Sequence, residues 1–255
     1  MHLISAVDRV RYVLSIVRLY RSNAKFVRQH PEFALPPKQL AFDAHAEANW
    51  QWYRRSGEET AQMVAQLIQM HSTVGPEVAV LDWGCGPGRV VRHLPAALGP
   101  RSRVTGSDYN PESISWCRAH IPNVTFIEND LEPPLPFAGH SFDCIYAQSV
   151  FTHLSVGVSQ AWATELRRVL KPEGLLIVST NGDALAQRLL PEEQALRQRE
   201  GVVIRGLVRE GKKMFGAYHT PQYVRGTLLR GYEVVEHRPE GFLGLRQDLW
   251  VARVR

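Results

Sequence analysis

Asp82, Gly84, Gly86, Gly88, Asp108 and His153 are of the types, and at the spacing, that can do chemistry together. Three glycines at alternate positions directly after a carboxylate make a turn whose backbone can approach a ligand closely. The N–H groups at the start of a following helix would face that ligand. A carboxylate at this point suits a cation better than a pyrophosphate, since like charges repel at close range. Asp108 lies about 20 residues beyond the last glycine, where an acid meets ribose hydroxyls in nucleotide-binding sheets. His153 is the first candidate for a general base because imidazole titrates near neutral pH; His219 is the second and His45 the third.

The elements that must position these residues are legible around them. An apolar run at 78–81 ends on Asp82, and apolar residues return at Val90, Val91 and Leu94 with helical spacing. That is a buried strand, a tight turn and a helix start. A dinucleotide site needs G-x-G-x-x-G, but counting from Gly84 and Gly86 puts Arg89 at its third glycine position. The run D-x-G-x-G-x-G from Asp82 to Gly88 instead resembles motif I of the class I S-adenosylmethionine-dependent methyltransferases at every fixed position. The resemblance implies that Asp82 holds the amino-acid end of the cofactor, with Gly84, Cys85, Gly86 and Gly88 making room for it.

The likeness continues along the chain. A second strand at 103–108 ends in Asp108, and Tyr109 matches the position that packs on the adenine face. A third strand at 124–131 carries Asp130, which resembles the family's contact to the adenine amino group, between Asn129 and Leu131. The fourth, at 142–148, is apolar enough to be buried on both faces and ends at Gln148. It runs into S-V-F-T-H-L at 149–154, which many bacterial members share, and ligands of open α/β sheets sit at such strand ends. A helix over 162–170, a stop at 171–174 and a fifth strand at 175–180 also match the family. Strands at 232–237 and 248–254 fit the closing pair, the last one antiparallel. The implied fold is α/β, a Rossmann-like doubly wound seven-stranded sheet with a helical N-terminal extension. The likeness is tight over 78–180 and looser elsewhere.

Two parts are expected, a helical extension or lid at 1–72 and a cofactor-binding domain at 73–255. The domain carries an insertion at 181–231 that is too long for a plain crossover and suits substrate selection. In the extension, 42–70 reads as one or two helices with a break at 56–59, and Trp50, Tyr53 and Arg54 are lid candidates, with Tyr53 and Arg54 assigned to the cofactor. Before it, Asp8, Arg11, Ser15, Arg18, Ser22, Lys25 and Gln29 form a polar stripe on a helix otherwise apolar from Leu3 to Tyr20. Such a helix wants cover, from its own domain, from a second subunit or from an anionic membrane surface. Arg9, Arg21 and Arg28 interrupt its apolar face and favour packing.

Composition bounds the function. The net charge of +5 belongs to residues 1–30, which hold six Lys/Arg against Asp8; the remainder balances at 24 against 24. A neutral body argues against a nucleic-acid partner. Cys85, Cys117 and Cys144 are isolated, Arg9 and Arg11 stand where a signal peptide needs an apolar stretch so none is expected, and the cytoplasm is the expected compartment. Neither H-x-x-H nor paired carboxylates at ligand spacing occur, so no metal is expected. Basic residues Arg205, Arg209, Lys212 and Lys213 in the insertion read as a solvated loop or as contacts to an anionic acceptor. The resemblance implies S-adenosyl-L-methionine as cofactor and methyl transfer to a small-molecule or glycan hydroxyl. The alternatives are cofactor binding without turnover and a nicotinamide-dependent oxidoreductase.

Overall fold

The computed structural model describes residues 2–206, 210–211, 214–242 and 244–255, with backbone alone for 2–7. Arg209, Lys212 and Lys213 of the basic cluster lie outside the described residues. Arg205 pairs with Glu193 at 2.7 Å, as a solvated ion pair does.

The sheet is built from β1 (Ala79–Trp83), β2 (Arg103–Asp108), β3 (Thr125–Glu128), β4 (Phe142–Ala147), β5 (Leu170–Thr180) and a closing pair, Tyr232–Arg238 and Asp248–Val254. Between β5 and that pair lie the short strands β6 (Val202–Arg205) and β7 (Gly216–His219), so the closing strands are β8 and β9. Among the described residues the large sheet has seven strands in the order β3-β2-β1-β4-β5-β9-β8. The first five are parallel, and β9 runs antiparallel to both of its neighbours. The strand order reverses between β1 and β4, so the crevice for a ligand opens beyond their carboxyl ends.

Every residue of β1 and β4 is buried, because helices cover both faces of the sheet. Adjacent residues alternate between two apolar layers, Val80, Tyr146 and Ile177 facing one and Leu81, Ile145 and Leu176 the other. The fifth strand begins earlier than expected, but the ladder to β4 shifts between Leu170 and Leu175, so 171–174 is a bulge rather than a helix stop.

The extension comprises α1 (His2–Gln29), α2 (Lys38–His45) and α3 (Trp50–His71). The expected break at 56–59 does not occur, and α3 is continuous. Gly57 serves contact instead, since a Cβ there would collide with the Arg89 carbonyl. In α1, Ser15, Leu19, Asn23 and Phe26 form the buried face. Asn23 fixes the chain before α3, donating to Ala48 O at 2.7 Å and accepting from Trp50 N at 3.1 Å. The helix therefore packs on its own chain, but not as the stripe implied: Ser15 turns inward while Val10, Val13, Leu14, Val17 and Tyr20 face out. Among the described residues no helix is long and apolar enough to cross a membrane.

Candidate active site

The glycine turn is closed by its own Gly88 N, which donates to Cys85 O at 3.1 Å, and is anchored by its neighbours. Gly84 N and Cys85 N both donate to Ser107 O, at 2.8 and 2.9 Å, tying the turn to β2. Gly84, Gly86 and Gly88 all have positive φ, a conformation that costs other residues about 1–2 kcal/mol. At Gly86 a side chain would meet little more than the Ala44 Cβ, 3.7 Å away, so its Cα faces open space. That space is a cavity of about 370 Å³ at the carboxyl ends of β1, β2 and β4.

Asp82 and Asp108 both line it. Asp108 is buried, and its two oxygens accept from Gly86 N and Asn110 N, each at 2.8 Å. Tyr109 N acts on the same carboxylate, so of its roughly four lone-pair sites about one stays open toward the cavity. Burial pushes the Asp108 pKa up, and the backbone donors pull against that. Asp82 ends a fully buried strand, and burial drives its pKa to about 8, with Arg89 opposing and Asp108 adding to the rise. A carboxyl so desolvated favours a cationic partner.

Arg89, which stands where a dinucleotide site would have glycine, is itself buried on the cavity wall. It donates to Ser56 Oγ at 3.0 Å and to Gln148 Oε1, and lies 5.1 Å from the Trp52 ring. Gln148 also accepts from the Tyr146 hydroxyl at 2.8 Å, so α3, the turn and β4 are locked together here. On the next strand-end loop, Ser149 has a φ of 61° and donates through Oγ to Gln247 at 2.8 Å.

His153 lines the cavity from the short turn Phe151–His153. Its Nδ1 lies 2.6 Å from Phe215 O. A carbonyl only accepts, so Nδ1 carries the proton and Nε2 keeps the lone pair. Burial lowers the His153 pKa, which holds the ring neutral and basic, although the Phe215 carbonyl pulls the other way. Phe215 belongs to the insertion, which grips the site again where Gly211 N donates to His153 O at 2.9 Å. The Tyr109 hydroxyl closes the same corner by donating to Gly211 O at 2.9 Å.

Among the sequence-derived site residues, Asp82, Gly84, Cys85, Gly86 and Asp108 line this one cavity. Tyr109, Asn129, Asp130, Leu131, Gln148 and His153 line it as well. Four do not. Gly88 faces Ile121 and Cys117, so its missing side chain serves packing rather than ligand. Tyr53 is buried beneath the turn, its hydroxyl donating to Pro87 O at 2.5 Å. Arg54 pairs with Glu58 at 2.9 Å and with His30 at 2.8 Å. His219 is buried in β7, where desolvation and the Arg197 charge depress its pKa to about 3.

The lid differs too. Trp50 is a core residue of the extension, and the wall is made by Leu40, Asp43 and His45 of α2 together with Trp52. His45 is half-buried, its Nε2 is shut off without a hydrogen-bond partner, and desolvation lowers its pKa. Trp52 and Asp43 lacked a sequence signal. Helical spacing puts Trp50 and Tyr53 on one face and Trp52 on another, but only tertiary contacts say which face meets the cavity.

Comparison with known proteins bears on the family and the fold. A methyltransferase-domain family matches residues 80–174. A 37.1 kDa protein of transposon Tn4556 from Streptomyces fradiae is 36% identical over 40% of this chain and 30% of its own length. The malonyl-[acyl-carrier protein] O-methyltransferase of Hahella chejuensis is 28% identical over 72% of this chain and 71% of its own. In three of the first four curated relatives the matched region spans 30% to 47% of their length. Among solved structures, the 1,6-didemethyltoxoflavin-N1-methyltransferase of Burkholderia thailandensis shares the fold with a TM-score of 0.55 at 16% identity, covering 80% of each chain.

Proposed function

We propose that this chain, whose residues 80–174 match a methyltransferase-domain family, is a class I S-adenosylmethionine-dependent methyltransferase that O-methylates a small-molecule or glycan acceptor, using S-adenosyl-L-methionine. The carrying observation is that Asp82, the open face of Gly86 and Asp108 converge on one cavity. A desolvated carboxyl for an ammonium, a bare backbone and a second acid with a lone pair open to the cavity fit that cofactor, not a pyrophosphate. The Hahella relative is named for O-methylation, and the Burkholderia structure holds S-adenosylhomocysteine with a small-molecule substrate.

In this reading Asp82 takes the amino group, Asp108 takes the ribose hydroxyls and Tyr109 packs on the adenine beside Asn129, Asp130 and Leu131. Cofactor binding brings a methyl group on a sulfonium, with a good leaving group. The protein's part is to align an acceptor in line with it and keep water out, with α2 and Trp52 as the wall. His153 Nε2 receives the proton of an acceptor hydroxyl, in the tautomer that Phe215 O imposes. Residues 1–72 act as the lid part and 181–231 as the substrate-side insertion of the domain at 73–255, in a cytoplasmic protein. The reading also gives residues 1–30 a docking role, toward a membrane or a second copy.

Calorimetry tests it directly: S-adenosylhomocysteine is expected to bind and NAD is not. NAD binding with none for S-adenosylhomocysteine would overturn the reading. Binding without methyl transfer from labelled cofactor to extracts or sugar-nucleotide pools would reduce it to a cofactor-binding protein.

Binding should also move a proton. With its pKa near 8, Asp82 is largely protonated at pH 7 in the ligand-free protein. An ammonium placed against it favours the ionised form, so cofactor binding expels a proton and tightens as pH rises toward 8. In the ligand-free protein the sign is opposite: the raised pKa stabilises the fold at acid pH, and that contribution is lost as pH rises through 8. Titrations with S-adenosylhomocysteine in two buffers of different ionisation enthalpy measure the release, and Asp82→Asn should remove it. Equal apparent enthalpies in both buffers would show that Asp82 is already ionised.

A further inference from the structure

The outer face of α1 is apolar where water should meet it. Val10, Val13, Leu14, Val17 and Tyr20 are 58%, 53%, 63%, 70% and 66% exposed. Their spacing puts them on one stripe of the helix, turned away from the Leu19–Asn23–Phe26 face that packs on the chain. At 100° per residue Arg9 borders one edge of the stripe and Arg11 and Arg18 the other, Arg18 being paired with Glu47 while the remaining arginines carry the exposed charge. Arg21 and Arg28 lie in its C-terminal continuation, where long apolar stems let the charged heads reach outward. All six cations of α1 are exposed, and Asp8 is the one acidic residue of its sequence.

We infer that this face docks the protein on an anionic lipid surface, with the stripe in the headgroup boundary and the arginines on lipid phosphates. The charge pattern chooses this occupant. A second copy of α1 laid along the stripe would set arginines against arginines, with Asp8 as the one acid on each helix to offset them. A nucleic acid would answer the cations but leave the valines uncovered. An anionic bilayer answers both, because apolar burial and attraction to lipid charge act on the same helix. The docking face lies one helix away from the cavity: Tyr12 of α1 packs edge-on against Phe42 of α2, centroids 5.2 Å apart, and α2 supplies the cavity wall.

The experiment is co-sedimentation of the full-length chain with vesicles of phosphatidylcholine alone or mixed with phosphatidylglycerol, at low and high salt. Binding to the anionic vesicles at low salt is expected to exceed binding to phosphatidylcholine by at least about tenfold, and to weaken with salt. The double variant Val13→Asp, Val17→Asp, whose sites are exposed, should melt like the wild type and lose that binding. Indifference of the wild-type protein to anionic vesicles at low salt overturns the inference, as does equal binding to both compositions. A dimer that the double variant dissociates, from protein that ignores vesicles, would assign the face to a second copy. The wild-type lipid and salt comparison stands even if the variant fails to fold. S-adenosylhomocysteine binding in the same samples reports separately on the methyltransferase reading.

Discussion

Gly86→Val is expected to bring S-adenosylhomocysteine binding below calorimetric detection while the protein still folds. Two effects add. A branched side chain at a φ of +52° is strained, by about 1–2 kcal/mol or more. The γ-carbons also project into the cavity, because the nearest neighbour of a Cβ there is Ala44, 3.7 Å off, and the rest is open. Neither effect disturbs the core, so thermal melting should shift far less than affinity falls. Gly88→Val supplies the contrast, since its side chain would collide with Ile121 and crowd Cys117. There the expected loss is of stability, by the few kcal/mol of an overpacked core. Undiminished binding by folded Gly86→Val protein would mean that the cofactor lies elsewhere.

His153→Ala is expected to lower turnover by about 10²- to 10⁴-fold, the usual contribution of a general base, with S-adenosylhomocysteine affinity nearly unchanged. The wild-type rate should stay level around pH 7 and fall on the acid side, with its midpoint below the ordinary histidine value of about 6.5. The sign follows from burial, which lowers the His153 pKa and keeps the lone pair available to lower pH. The acid limb should vanish in the variant. His219→Ala should cost stability and leave the rate per folded molecule intact, because His219 is buried in β7 away from the cavity. His45→Ala is the discriminating companion, since His45 reaches the cavity from α2 with an unpartnered Nε2. Near wild-type turnover in His153→Ala together with loss in His45→Ala would move the base to the lid.

The glycine-turn end of the candidate site was legible in the sequence for a local reason. A strand that ends beside a carboxylate and a turn that needs positive φ leave their marks within a few residues, whereas the helix expected from Val90 comes later, as a 3-10 turn at Val91–His93 leading into the short helix Leu94–Leu98. The acids at Asp82 and Asp108 could therefore be placed at strand ends before any contact was known, and both line the cavity. Seven strands with the last antiparallel followed from the family likeness, and the sheet has them, in an order that the structure supplies.

Partnership across the chain was not legible. Gly57 looked like a helix break because nothing nearby shows that Arg89 O passes over it, 32 residues later in the chain. Tyr53 and Arg54 looked like a lid because composition cannot tell which side of α3 faces the turn, and that was decided by Asn23 and Phe26 of α1. The same packing turned Ser15 inward and left Val10, Val13 and Val17 outside, against the polarity of the helix.

By itself, then, the sequence determined the strand–turn unit and the positions of the two acids and the base candidate near strand ends, because each depends on backbone geometry over a few residues. Only the tertiary structure decided that α2 and Trp52 wall the cavity and that Phe215 of the insertion sets the tautomer of His153. It also decided that His219 is buried apart from the site. Those outcomes rest on contacts between segments 60 or more residues apart in the case of His153 and Phe215, whose geometry no local pattern encodes.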